Sequence, residues 1–193
     1  MTTANKISIV RILLVPFFIA QMLYYFGGAG DWYRLLAVTS FGLGVISDAL
    51  DGYIARRYNQ RSELGALLDP LADKLLLLSG MILLTVHDGS SLALLPLWLT
   101  VTVISRDALL VIGAVVIRFI GGKVEVRPHW IGKVATVLQM TCVLWALLKL
   151  GSAWLQAWTT LTAVCTAVSG IIYIAAGVRQ LASSPASLPT PRS

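Results

Sequence analysis

The stretch SDALDGYIARRYNQRSELGALLDPLADK, residues 47–74, decides the fold because it places four aspartates inside a chain that is otherwise strongly apolar. Of the 193 residues, 57% are hydrophobic and only 12% are charged. A soluble domain carries about 25% charged residues, so this composition indicates an integral membrane protein. Carboxylates are costly to place in a membrane, and four of them so close together predict a functional site.

Six segments are apolar and long enough to cross a membrane, which takes about 20 residues. They predict an all-α, polytopic six-helix bundle over residues 1–182, followed by a disordered tail, 183–193, that is rich in Ser and Pro. The first segment is expected to be a membrane span rather than a cleaved signal peptide, because its apolar region is long. The predicted spans are Ile7–Phe26, Trp32–Ala55, Leu68–Val86, Leu92–Phe119, Ile131–Leu150 and Ala153–Ala182.

The distribution of basic residues predicts which side of the membrane each loop faces. Six spans put both termini on one side, together with the loop that follows the second span and the loop that follows the fourth. Only Arg34 and Lys149 fall on the opposite side, so the termini and the aspartate stretch are expected to be cytoplasmic. The same rule accounts for the net charge of +6 without a nucleic-acid partner. The basic residues on the cytoplasmic side are Lys6, Arg11, Arg56, Arg57, Arg61, Arg118, Lys123, Arg127, Lys133, Arg179 and Arg192.

The spacing of the aspartates predicts two facing pairs. Asp48 and Asp51 are three residues apart on the second span, and Asp69 and Asp73 are four apart on the third, so each pair lies on one helix face. Four carboxylates in one pocket repel each other unless cations are present. Oxygen-only ligand sets suit hard divalent ions such as Mg²⁺, Mn²⁺ or Ca²⁺. Four carboxylates can hold two such ions and leave one oxygen to act as a base.

Small residues accompany the aspartates. Gly52, Ala55 and Gly65 lie on the same helix faces, which leaves space for a flat or phosphorylated ligand. Three arginines stand at the cytoplasmic rim, and arginine matches phosphate oxygens with paired hydrogen bonds. The alternative is that the aspartates only form ion pairs with these arginines and with Lys74. The rim arginines are Arg56, Arg57 and Arg61.

The pattern Asp48-x2-Asp51-Gly52-x2-Ala55-Arg56-x8-Gly65-x3-Asp69-x3-Asp73 resembles the signature of the CDP-alcohol phosphatidyltransferases at all eight of its fixed positions. The six-span layout also resembles that family. The resemblance implies that a CDP-activated lipid, CDP-diacylglycerol, gives its phosphatidyl group to an alcohol and releases CMP. It further implies a membrane enzyme of the bacterial inner-membrane type, in contact with lipids, and a homodimer.

The resemblance also assigns roles to individual residues. Asp48 and Asp69 would bridge two divalent ions, Mg²⁺ or Mn²⁺. Asp51 would complete one ion site and Asp73 the other, and Asp73 would also be the base that takes the proton from the attacking hydroxyl. The remaining motif positions would contact the CDP group or leave room for it. They are Gly52, Ala55, Arg56, Ser62 and Gly65.

The acceptor alcohol is less clearly indicated. Arg106, Arg118 and Lys133 are candidates for binding an anionic acceptor, and the shortness of the chain favours glycerol-3-phosphate. The tripeptide Ser105-Arg106-Asp107 resembles eukaryotic-type cardiolipin synthases, so phosphatidylglycerol is the alternative acceptor. The alternatives to acceptor binding are structural. Arg118 would then follow the positive-inside rule alone, and Arg106 would only form an ion pair with Asp107 or a motif carboxylate.

Two other classes of protein also place carboxylates in a membrane. A polyprenyl transferase binds pyrophosphate through aspartates and Mg²⁺, but its aspartate clusters lie on well-separated helices, and the Gly-x2-Ala-Arg insert has no role in its chemistry. A cation channel or transporter is the non-enzyme alternative. It does not explain the glycines and arginines at the cytoplasmic rim, so both alternatives are disfavoured.

Overall fold

The computed structural model describes the backbone of residues 3–58, 63–87, 92–119 and 130–182. Within these ranges, the side chains of residues 3–9, 48–58, 63–71, 114, 118, 152 and 180–182 are not described. The described residues form six helices and no strand, which confirms the all-α prediction. The helices are α1 (Thr3–Phe26), α2 (Asp31–Tyr58), α3 (Glu63–Val86), α4 (Leu97–Phe119), α5 (Trp130–Leu147) and α6 (Ser152–Ala182).

The helices pack as two sets of three. In the N-terminal half, α1 packs against both α2 and α3, and in the C-terminal half α6 packs against both α4 and α5. Contacts of α5 with α2 and α3, and of α4 with α3, join the two halves. The predicted aspartate stretch therefore belongs to the N-terminal half, and the candidate acceptor residues belong to the C-terminal half.

The hydrophobic core lies at one end of the bundle. It takes side chains from the last turns of α1, α3 and α5 and from the first turns of α2, α4 and α6, which meet at the same end. Phe18 and Phe41 pack with ring centroids 5.7 Å apart, and both are buried together with Met81 and Leu99. The aspartate stretch lies at the other end of the bundle.

The three helices of the C-terminal half are long and apolar enough to cross a membrane, judged by length and composition over the described residues. The corresponding segments are Leu97–Ile117, Trp130–Leu147 and Ala153–Arg179, and Val10–Phe26 is a shorter apolar helix. Large apolar side chains lie on their outer surfaces, as for Phe119 and Ile171. Lipid contact accounts for this exposure. A monomeric soluble protein rarely exposes large contiguous apolar patches.

Two helices stop short of their predicted spans, whereas α1, α2 and α3 extend beyond theirs. Helix α4 begins at Leu97 rather than at Leu92, because Pro96 disfavours a helical conformation at the residue before it. The Leu95 N–H instead donates to the Leu84 carbonyl of α3. Helix α5 ends at Leu147 rather than at Leu150, because Lys149 adopts a φ of 56° and turns the chain away.

The turn between α1 and α2 is built on glycines. Gly28 and Gly30 have φ values of 83° and 108°, a region that glycine adopts without the steric cost a Cβ brings. The N–H groups of Gly27 and Ala29 donate to the Leu23 and Tyr24 carbonyls, which closes the end of α1. Helix α2 therefore returns directly alongside α1.

A group of charged residues, the turn clasp, ties the ends of three helices together at this end of the bundle. The Asp31 carboxylate accepts from Lys149 Nζ at 3.2 Å and from Arg34 Nε at 3.3 Å. Arg34 also donates to the Leu147 carbonyl at 2.9 Å, which satisfies an open acceptor at the end of α5. The Lys149 hydrogen bond, and then the Arg34 hydrogen bond, lower the pKa of Asp31 below its ordinary value of 3.8. Lys149 Nζ also lies over the Tyr25 ring of α1.

Helices α5 and α6 meet along a seam of small and hydroxyl-bearing residues. Gln139 donates to the Thr166 hydroxyl at 2.9 Å, and the Cys142 sulfur lies 3.3 Å from the Thr162 hydroxyl. Small residues let helices approach closely in lipid, where interhelical hydrogen bonds and packing replace the hydrophobic effect. The buried members, at alternating spacings of three and four residues, are Gly132, Ala135, Gln139 and Cys142 on α5 and Thr159, Thr162, Thr166 and Ser169 on α6.

Candidate active site

The backbone places the aspartate stretch on two helices of the N-terminal half. Asp48 and Asp51 are helical in α2, and Asp69 and Asp73 are helical in α3, so each pair spans one turn as predicted. Helices α2 and α3 contact each other, and the connection at 59–62 lies outside the described residues. The side chains of Asp48, Asp51 and Asp69 also lie outside them, so the meeting of the four carboxylates stays a prediction. Asp73 is described, and it is partly buried next to the fully buried Ala72.

The donor set fits a divalent metal by its chemistry. All four candidate ligands are carboxylates, and hard ions such as Mg²⁺ and Mn²⁺ prefer oxygen donors. Among the side chains that the structure describes, no group of three or more His, Cys, Asp or Glu residues comes together. Three of the four predicted ligands are not among those side chains, so this finding bears only on the remainder of the bundle.

Arg106 of α4 is a cation held inside the C-terminal half. Its Nη1 donates to Asp107 Oδ1 at 2.7 Å, and its Nη2 donates to Ser169 Oγ of α6 at 3.0 Å. The guanidinium carbon lies 5.5 Å from the centre of the Tyr173 ring, a cation–π distance. The side chain is 9% exposed, so Arg106 is buried as the sequence suggested. The ion pair with Asp107, one of the interpretations left open, is present.

Two glycines make the space that Arg106 occupies. A Cβ at Gly132 of α5 would lie 3.1 Å from Arg106 Nη2, 3.2 Å from the Tyr173 hydroxyl and 3.4 Å from Ser169 Oγ. A Cβ at Gly170 of α6 would lie 3.3 Å from Arg106 Cγ. A Cβ at either position would crowd the arginine, and its neighbours would have to shift by a few tenths of an ångström. The slot therefore fixes both the position and the direction of the guanidinium.

Asp107 joins this arginine to the helix that carries the aspartate motif. Besides accepting from Arg106, its carboxylate accepts a hydrogen bond from Lys74 Nζ of α3. Lys74 is the residue directly after Asp73. One buried carboxylate thus bridges the N-terminal and C-terminal halves and contacts two cations, one in each half.

Of the other predicted binding residues, the structure describes only the side chain of Lys133. Lys133 is exposed, and its Nζ lies 5.5 Å from the centre of the Trp130 ring. The side chains predicted to bind the CDP group and the Arg118 side chain lie outside the described residues, so their assignments stay predictions. The CDP-binding candidates are Gly52, Ala55, Arg56, Ser62 and Gly65.

Several residues of this region were not predicted from the sequence. Ser169 and Tyr173 lie seven or more residues before the end of α6 and look like ordinary span residues, so only the packing of α6 on α4 reveals their contacts with Arg106. Arg11, counted above only as a loop charge, is fully buried in α1. A charged residue one helical turn inside the first apolar segment was the available signal for Arg11.

These features define a class: a helical membrane protein with a paired-aspartate motif on two adjacent helices and a fixed cation on the neighbouring half. The family model of the CDP-alcohol phosphatidyltransferases matches residues 1–169, and the chain belongs to that family. Two relatives named CDP-diacylglycerol--glycerol-3-phosphate 3-phosphatidyltransferase, from Salmonella typhi and Escherichia coli K12, are 35% and 34% identical to it. Each match covers 141 residues, which is 73% of this chain and 74% of the relative.

Proposed function

We propose that this protein transfers the phosphatidyl group of CDP-diacylglycerol to glycerol-3-phosphate, forming phosphatidylglycerophosphate and releasing CMP. The observation that carries the proposal is the similarity to relatives of this name over 73% of the chain. The complete aspartate motif supports it. The assignment makes the protein a transferase of phospholipid biosynthesis.

The metal site of this proposal is built from the four motif aspartates. Asp48, Asp51, Asp69 and Asp73 would hold two divalent ions, Mg²⁺ or Mn²⁺, with Asp48 and Asp69 shared between them. Bound there, the ions neutralise pyrophosphate charge and stabilise the leaving CMP. Asp73 would take the proton from the acceptor hydroxyl as that oxygen attacks the β-phosphorus of the CDP-lipid. Partial burial of Asp73 supports this role, because it limits competition from water.

The substrate pockets of this proposal lie on either side of the metals. Gly52, Ala55 and Gly65 would leave room for the cytidine group, and Arg56 and Ser62 would contact it. Arg106, Arg118 and Lys133 would attract the phosphate of glycerol-3-phosphate. Two observations support Arg106 in this role: its guanidinium is fixed by three contacts, and its buried Nε has no hydrogen-bond partner among the described residues. An unmet buried donor is costly, and an anionic ligand would satisfy it.

Cardiolipin synthesis is the second candidate function. The Ser105-Arg106-Asp107 tripeptide favours it, because it resembles eukaryotic-type cardiolipin synthases. In that case phosphatidylglycerol would be the acceptor, and both substrates would arrive through the bilayer. The names of the relatives favour glycerol-3-phosphate instead.

The membrane arrangement of the proposal has all six helices spanning. Both termini and the active site would face the cytoplasm, as the basic loops predict. Three helices that meet the length and composition of a span support this arrangement. Bacterial relatives support a place in the bacterial inner membrane. A homodimer is proposed from the family resemblance.

The test is an assay of CMP release by the purified protein in detergent with CDP-diacylglycerol and Mg²⁺. We expect CMP release with glycerol-3-phosphate, and we expect this release to stop when the metal is chelated. Release with phosphatidylglycerol alone would identify a cardiolipin synthase instead. Release with neither would exclude both acceptors.

A second arm of the assay tests the proposed base. Asp73→Asn should lower turnover by about 10²- to 10⁴-fold, the contribution of a general base, while CDP-lipid binding is largely kept. Asp31→Asn is the matched control, because this aspartate lies in the turn clasp at the other end of the bundle. Full activity of the Asp73 variant, or loss of lipid binding together with turnover, would contradict the assignment.

A further inference from the structure

Asp107 is the buried carboxylate through which the two halves of the bundle are connected. It lies on α4 with its side chain 11% exposed, and it accepts from Arg106 Nη1 at 2.7 Å and from Lys74 Nζ. Two cations share one carboxylate, so the three side chains together carry one positive charge. The proposed reaction gives Asp107 no part in binding metal or substrate.

The two cations depend on Asp107 to different degrees. Arg106 is also held by the Ser169 hydroxyl, by the Tyr173 ring and by the slot between Gly132 and Gly170, so it has further contacts. For Lys74, Asp107 is the ion-pair partner among the described side chains. Its side chain is 43% exposed, and a lysine stem is flexible. Without Asp107, the Lys74 ammonium would be the group free to move.

Lys74 lies close in the sequence to two of the proposed metal ligands, so its movement would affect the metal site. Lys74 directly follows Asp73 and lies five residues after Asp69 on the same helix. An ammonium that turned toward these carboxylates would compete with a divalent cation for the same charge. We propose that Asp107 is a positioning residue that holds the Lys74 ammonium against α4 and so keeps it out of the aspartate cluster. The proposal rests on the metal site described under the proposed function.

Binding of Mn²⁺ tests this without any turnover. The purified protein in detergent is titrated with Mn²⁺ in the absence of substrates, and free Mn²⁺ is followed by electron paramagnetic resonance. Asp107→Asn should weaken Mn²⁺ binding by about 10- to 100-fold, the loss seen when a residue that orients metal ligands is removed. Adding Lys74→Met to this variant should restore binding to near the wild-type value, because the competing ammonium is gone.

The double variant separates positioning from a general loss of structure. A helix interface damaged by Asp107→Asn would not be repaired by removing a second polar group, so restored binding supports the proposal. Wild-type binding by Asp107→Asn alone would overturn it. So would a folded double variant that still binds Mn²⁺ weakly, and this outcome decides the matter even if the single variant does not fold.

One control variant and the behaviour of the wild-type protein complete the design. Asp31→Asn removes a carboxylate that also contacts two cations, but in the turn clasp, and it should leave Mn²⁺ binding unchanged. Failure of the proposed metal site has a different signature, because the wild-type protein itself would then bind no Mn²⁺. Failure of the proposed acceptor would not change any of these results, because the titration contains no acceptor.

Discussion

At the scale of single residues, Arg106 shows how the bundle accommodates a buried charge. Arg106 lies between two glycines and contacts a carboxylate, a hydroxyl and an aromatic ring. In lipid, an arginine without such contacts would be very costly. The space left by Gly132 is therefore as much a part of this site as the groups that contact the guanidinium.

The variant Gly132→Ala adds one carbon atom and tests whether Arg106 needs the space that Gly132 leaves. The added Cβ would lie 3.1 Å from Arg106 Nη2, and Ser169 and Tyr173 hold the arginine so that it cannot easily move away. We expect a raised KM for glycerol-3-phosphate, because the guanidinium is displaced, and a lower unfolding temperature.

Gly113→Ala on α4 is the matched control, because a Cβ there meets nothing within 4 Å. Both changes gain the same helix propensity. The difference in unfolding free energy between the two variants is therefore the overpacking cost, about 1–3 kcal/mol. Equal stability and equal KM in the two variants would show that the slot is not tight.

The sequence predicted part of the site's arrangement. Helical periodicity placed Asp48 with Asp51, and Asp69 with Asp73, within one turn each, and the helical backbone agrees. That the two pairs face each other stays a prediction. The partners of Arg106 on α6 could not be predicted, because Ser169 comes 63 residues later and meets it only through the packing of α6 on α4. Contacts between distant helices depend on crossing geometry that the local pattern does not encode.

At the scale of helices, the ends are controlled by different means. Proline determines where α4 begins, and a charged turn determines where α5 ends. Sequence periodicity located all six helices but placed these two boundaries several residues too far out. The apolar residues of 92–96 and 148–150 continue the hydrophobic run, so composition alone could not show that the backbone had left the helix.

The turn clasp makes a pH-dependent prediction. The pKa of Asp31 is lowered in the folded state, so the clasp stabilises the fold above pH 3.8 and loses this contribution as pH falls through the lowered pKa. Asp31→Asn should therefore lower the unfolding temperature slightly at pH 7. The difference from wild type should shrink as pH falls through the lowered pKa of Asp31, because the wild-type carboxylate then becomes protonated too.

Arg34→Gln is the comparison for this prediction. It removes the Asp31 contact and also the hydrogen bond to the Leu147 carbonyl, whose strength does not depend on the Asp31 charge. Its destabilisation should be larger at pH 7 and should persist at low pH. Thermal unfolding in detergent at both pH values measures all three proteins. A pH-independent Asp31→Asn effect would contradict the clasp.

At the scale of the whole molecule, the two three-helix halves carry different parts of the proposed site. The N-terminal half carries the aspartate motif, and the C-terminal half carries the fixed arginine and the three described segments that meet the criteria for a span. The proposed reaction needs both halves at once, and the bridge from Lys74 to Asp107 crosses between them.

The proposed orientation predicts which positions can be reached from each side. In a variant without Cys142 and Cys165, a cysteine at Ala29 should react with a membrane-impermeant maleimide in intact bacteria whose outer membrane has been made permeable. A cysteine at Ser187 should react only after the inner membrane is opened, because six spans put the tail on the cytoplasmic side. Labelling at both positions in intact cells would mean an odd number of spans.

The close return of α2 along α1 also bears on how the protein is made. Helix α2 carries six charged residues, and insertion experiments assign each Asp or Arg at the centre of a helix about 2.5–3.5 kcal/mol against entry. Asp48 and Asp51 lie inside the predicted span, so we expect this helix alone to enter the bilayer less readily than an apolar one. Because of its short turn and long contact with apolar α1, we expect the two to enter the bilayer as one hairpin, so that the first helix carries the helix with Asp48 and Asp51 into the membrane. The charged residues of α2 are Asp31, Arg34, Asp48, Asp51, Arg56 and Arg57.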